Sequence, residues 1–139
     1  MTIKEDKVIL WDNNGDRFWL FSIPYESQYK YIDGKPCITF GIAYSNDCYK
    51  GRDVITIFDQ YLTDTVTKIR NVCAGLSEEF RLYDVGADTD GYVDFKRLSL
   101  GALSISGRMG ATFSSNSLTF EFVADQTVLE PLVQILTIT

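Results

Sequence analysis

Apolar and polar positions alternate along most of this chain, at a period of two. DKVILWD reads as a strand, Asn13-Asn14-Gly15 as a turn, and DRFWLFSI as a second strand that Pro24 stops, which predicts an N-terminal hairpin. Residues 25–34 are polar and tyrosine-rich, with a turn at Asp33-Gly34. PCITFGIAYS follows as a strand, with Ile38, Phe40, Ile42 and Tyr44 on its apolar face and Cys37, Thr39, Gly41 and Ala43 on the other. SNDCYKGRD reads as a loop.

The period then lengthens. Ile55, Phe58, Leu62, Val66, Ile69, Cys73 and Leu76 recur at steps of three and four, which predicts an amphipathic helix over about 54–75. Asp53 or Thr56 suits its start and Gly75 its end. Its many Val, Ile and Thr residues are stiff at χ1, so an extended first turn is the alternative. Alternation returns in EFRLYDV, YVDFKRL, LSISGRMGATF and SLTFEFV, a meander of hairpins with SSNS as one turn. On LSISGRMGATF, Leu103, Ile105, Gly107 and Met109 share a face, and Gly107 and Gly110 mark a bulge or the close approach of another segment. A short helix over about 127–136 closes the pattern, capped by Asp125 or Thr127, with Pro131 in its first turn.

The resulting expectation is one α+β domain spanning 1–139. It comprises an antiparallel sheet of about six or seven strands with the two helices packed on one face. No apolar run approaches a membrane span, and the start carries no long apolar core, so a cytoplasmic protein is expected. Cys37, Cys48 and Cys73 are odd in number and lack Cys-x-x-Cys spacing, which disfavours a disulfide framework or a zinc site. Cys37 and Cys73 read as small buried hydrophobes, and Cys48, near Lys50 and Arg52, is the candidate reactive thiol.

The chain has no histidine, which removes Ser-His and Cys-His nucleophile pairs and the commonest general base at neutral pH. LSISG misses the nucleophile-elbow pattern because Leu103 stands at its first glycine. GADTDGYVDFK resembles part of a calcium loop. Its first ligand position, however, falls on Gly86 and its twelfth on Arg97, and both flanks read as strands. It is expected to be a hairpin loop, and no metal or cofactor is expected. A carboxylate-based hydrolase would need two acids facing each other in a cleft.

Formal net charge is −6, and Lys and Arg are scattered, which argues against a nucleic-acid binder. The densest charge feature is Glu78, Glu79, Asp84, Asp88, Asp90 and Asp94 against one base, Arg81. This is a solvated edge or a candidate binding site for a basic protein partner. Twelve of the nineteen aromatic residues precede residue 62. Trp11, Trp19 and the tyrosines from Tyr25 to Tyr49 are either strand packing or a small-ligand or carbohydrate surface.

GYVDFKRLSLGALSISGRMG and SLTFEFVADQTVLEPLVQIL carry a Gly-led strand and a second apolar strand. An Asp-Gln-Thr-x-Leu turn (Asp125, Gln126, Thr127, Leu129) then enters a terminal helix. With the preceding long helix and its leading YKGRD, residues 50–136 resemble the small bacterial immunity proteins of the WapI family. The resemblance implies a non-enzymatic cytoplasmic protein that binds and neutralises a cognate toxin domain, often a nuclease. It supplies no catalytic residues.

Overall fold

The computed structural model describes residues 7–22, 29–84, 91–110 and 117–137; the side chains of Tyr29 and Lys30 are not among the features described. The chain is α+β, with nine strands among the described residues: β1 (Lys7–Asn13), β2 (Asp16–Phe21), β3 (Tyr29–Ile32), β4 (Lys35–Ser45), β5 (Lys50–Phe58), β6 (Glu79–Tyr83), β7 (Tyr92–Arg97), β8 (Ala102–Met109) and β9 (Leu118–Asp125). Two helices, α1 (Asp59–Cys73) and α2 (Leu129–Leu136), complete it. All strand pairs are antiparallel.

The strands form two sheets where alternation alone suggested one. In the first, long β4 is the centre: its C-terminal half pairs with β2, its N-terminal half with β3, and its other edge with β5 along its length. β1 lies outside β2. The second sheet is the meander β6-β7-β8-β9. Their inward faces share one core. Phe18 of the first sheet meets Phe95 and Phe122 of the second, at ring-centroid distances of 6.3 and 5.7 Å. Tyr44 stacks on Phe120 and Phe122 at 4.8 and 5.1 Å. Burial of the Tyr44 ring, then the hydrogen bond its hydroxyl donates to Asp16, push its pKa up to about 12, so it stays a neutral donor.

The largest revision concerns residues 50–58. These are a strand, and α1 begins only at Asp59. Ile55 and Ile57 obey the period of two, and the β-branched run finds nine partners on β4. The buried stripe of α1 is Leu62, Thr65, Ile69 and Val72, with Val66 only partly buried. Cys73 and Leu76, placed on that stripe by sequence, are exposed. Thr65 tolerates the buried side because its hydroxyl donates to Tyr61 O at 2.9 Å. α1 packs against β4, β5, β6 and α2, and α2 also touches β1.

The end of the chain follows its sequence closely. β9 runs into a 3₁₀ turn over Gln126–Val128 and then α2, with Pro131 in the first turn. Asp125 Oδ1 accepts from Thr127 N at 2.9 Å and from the Thr127 hydroxyl, and these bonds hold its carboxyl below the ordinary range. A depressed folded-state pKa stabilises the fold above the ordinary carboxylate pKa. That contribution disappears as pH falls through the folded value. Asp125→Ala is therefore expected to cost about 1 kcal/mol at neutral pH. Urea melts of both proteins should converge as the pH drops below about 4. A gap that persists in acid would show that the side chain acts through something other than its charge.

Candidate functional site

The outward face of the second sheet is built by strict alternation. Along β6 and the residue after it, Phe80, Leu82 and Asp84 turn inward while Glu79, Arg81 and Tyr83 turn out. Register then sets three rows across the strands: Glu79, Lys96, Ser104, Val123; Arg81, Asp94, Ser106, Glu121; and Tyr83, Tyr92, Arg108, Thr119. Three acids (Glu79, Asp94, Glu121) face three bases (Arg81, Lys96, Arg108), so the face is locally balanced. Arg81 grips Asp94 with two hydrogen bonds, Nε to Oδ1 at 2.7 Å and Nη2 to Oδ2 at 2.9 Å, which push the guanidinium pKa up further. The same guanidinium lies 4.0 Å from the centroid of the Tyr92 ring. Tyr83 is 45 % exposed and Val123 55 %.

The acidic residues singled out by sequence do not gather into one patch among the described residues. Glu78 and Glu79 are exposed. Asp94 is half-buried and spent on Arg81. Asp84 is a correction: it is 6 % exposed, and its Oδ1 accepts the Thr56 backbone N–H at 2.6 Å, pinning the end of β6 to β5. Asp88 and Asp90 lie outside the described residues. The flanks of that loop are antiparallel strands, so the helices an EF-hand requires are not there.

Asp53, which with Thr56 suits a helix start by sequence, is instead a buried clamp between the sheets. Its Oδ1 accepts Val54 N at 2.8 Å and its Oδ2 accepts Gly110 N at 3.1 Å. Nothing in a one-dimensional pattern distinguishes such an acid from a cap, because its donor is 57 positions away. Of the two glycines expected to mark a bulge or a close approach, Gly107 sits where a Cβ would stand 2.2 Å from Tyr92 O, and the Gly110 N–H meets Asp53 of the other sheet.

The N-terminal aromatics divide between the two faces of the first sheet. Tyr44 is in the core and Trp11 packs against it, while Trp19 pairs with Ala43 on the opposite face. Tyr31 and Tyr49 are exposed, and Tyr25 lies outside the described residues. Around Trp19 a depression of about 340 Å³ opens, lined by Phe21, Ala43, Lys50, Gly51 and Arg52 as well. Cys48 is exposed in the turn between β4 and β5, where Asn46 Oδ1 accepts from its N–H, and Cys37 is buried. Among the described residues no three acids or cysteines converge as a metal cage. No helix among them is long and apolar enough to cross a membrane. Comparison of the chain with protein-family models, curated proteins and solved structures gives no match.

Proposed function

We propose that this chain is a non-enzymatic protein-binding module of the toxin-immunity type, using the outward face of the β6-β7-β8-β9 sheet to hold a basic protein partner. The observation that carries the reading is that face itself: a four-stranded platform on which Tyr83, Tyr92 and Val123 stand among ordered charges. Exposed aromatics on a rigid support suit interface anchors, because little rotamer freedom is lost when they are covered. The balanced charges of the rows fix register. The net −6 of the whole chain steers a basic domain toward it, with Glu78 and Glu79 exposed at one edge. The likeness of residues 50–136 to WapI-type immunity proteins points to a toxin domain as that partner.

Calorimetric titration with a basic toxin domain, sought first among the products of neighbouring genes, is the direct test. Tyr83→Ala and Val123→Asp should each weaken binding about tenfold or more with melting curves unchanged. Lys35→Ala, at the exposed start of β4, should leave it as it was. A toxin domain that does not bind, or one that binds both face variants as tightly as the parent chain, would sink the proposal.

A further inference from the structure

The outward face of the first sheet carries a different chemistry. Register places Arg17, Ser45 and Lys50 in one row across β2, β4 and β5, Trp19, Ala43 and Arg52 in the next, and Phe21, Gly41 and Val54 in a third. The middle strand contributes only small side chains, while its neighbours contribute long and aromatic ones. A trough follows, and it is the depression of about 340 Å³ already described. Phe21 closes one end, for its ring lies where a Cβ on Gly41 would stand, 2.2 Å from the nearest ring carbon.

Charge is what makes this trough unusual. The chain as a whole is acidic, yet the lining holds two bases and no carboxylate among the described residues. Arg17 and Lys50 bring their charged groups to 5.4 and 5.7 Å from the centroid of the Trp19 ring, which holds both in place through cation–π attraction. Arg17 stands beside the lining rather than in it and pairs with Asp12, its Nε 3.8 Å from the carboxylate oxygen, so Lys50 and Arg52 supply the positive charge of the trough itself. Cations beside an apolar aromatic wall are complementary to a negative group on a flat apolar body. The volume lies at the small end for ligand sites, which limits the occupant to a small molecule.

We infer that the Trp19 trough is a binding site for a small organic anion, a phosphate or carboxylate carried on a flat apolar group. The site is on the opposite sheet from the proposed protein-binding face and stands independently of it.

Phenyl phosphate is the probe, followed through the indole N–H resonances of Trp19 and Trp11, assigned with Trp11→Phe. The Trp19 resonance should shift and saturate below roughly 10 mM, a range suited to so small a site. Trp11, packed on the other face, should stay still. Lys50→Gln should weaken binding about fivefold, and Lys50→Arg should retain it. Inorganic phosphate and benzyl alcohol, each carrying half of the chemistry, should bind several-fold more weakly. An unmoved Trp19 resonance, equal affinity in Lys50→Gln, or equal affinity for inorganic phosphate would overturn the inference. Tighter binding of a poly-glutamate peptide than of phenyl phosphate would overturn it too, in favour of an acidic polypeptide.

Discussion

Gly107→Ala is expected to destabilise the chain by roughly 3 kcal/mol or more. A Cβ at this position would stand 2.2 Å from the Tyr92 carbonyl oxygen and 3.0 Å from the Val93 Cα. Those atoms are backbone, fixed by the pairing of β7 with β8, so no rotamer change relieves the contact. The strands must separate, with loss of ladder hydrogen bonds and of the packing of Ile105 and Met109 beneath them. Gly101 provides the comparison. It has a φ of +77° but open space around its would-be Cβ, so alanine there should cost only about 1 kcal/mol of backbone strain. Urea denaturation of both variants checks the difference: the midpoint of Gly107→Ala should fall several times further, at similar slope. Equal losses would mean that β7 and β8 do not approach as closely as their register requires. Tyr92 and Arg108 lie opposite each other beside this contact, so spreading these strands should also disturb the proposed binding face.

How much of this was legible in the sequence depends on the range of the interactions concerned. The period of two located β1, β2, β4 and the four-stranded meander, because each strand buries one face and wets the other. The inward set on β8, Leu103, Ile105, Gly107 and Met109, is the one alternation names. The terminal cap and helix were legible because Asp125 and Thr127 meet within two residues. Residues 50–58 were legible only in part: the Val, Ile and Thr density raised an extended start over 54–58 as the alternative, while 50–53 read as loop. Ile55, Phe58 and Leu62 also fit helical spacing, and only the full-length pairing with β4 decides for a strand. The division into two sheets is invisible for the same reason: period fixes which side chains turn inward, not which sheet they then meet. Asp84 looked like one of a run of surface acids. Its inward position follows from alternation with Phe80 and Leu82, but its partner, the Thr56 N–H, is 28 residues away. The Trp19 trough depends on side-chain sizes across three strands, which no single strand displays.

Phe18→Ala should be the most damaging of the simple truncations in the core, at roughly 3–5 kcal/mol. Phe18 has no exposed surface, and its ring joins the two sheets by meeting Phe95 on β7 and Phe122 on β9. Across its own sheet it pairs with Tyr44, which stacks on Phe120 and Phe122, so removing the ring opens the middle of an aromatic seam. The surrounding strands are held by their ladders and by Asp53 and Asp84, so they cannot collapse into the space, and an unrelieved cavity is the costly case. Phe18→Leu fills most of that volume and should cost about 1–2 kcal/mol. Thermal melts should place the alanine variant roughly 10–15 °C below the parent chain. Both should unfold in one transition, because a shared core leaves neither sheet with an independent apolar interior. Two separated transitions in the variant, or a loss below about 1 kcal/mol, would show instead that the sheets are stabilised separately and that the seam only fills the space between them.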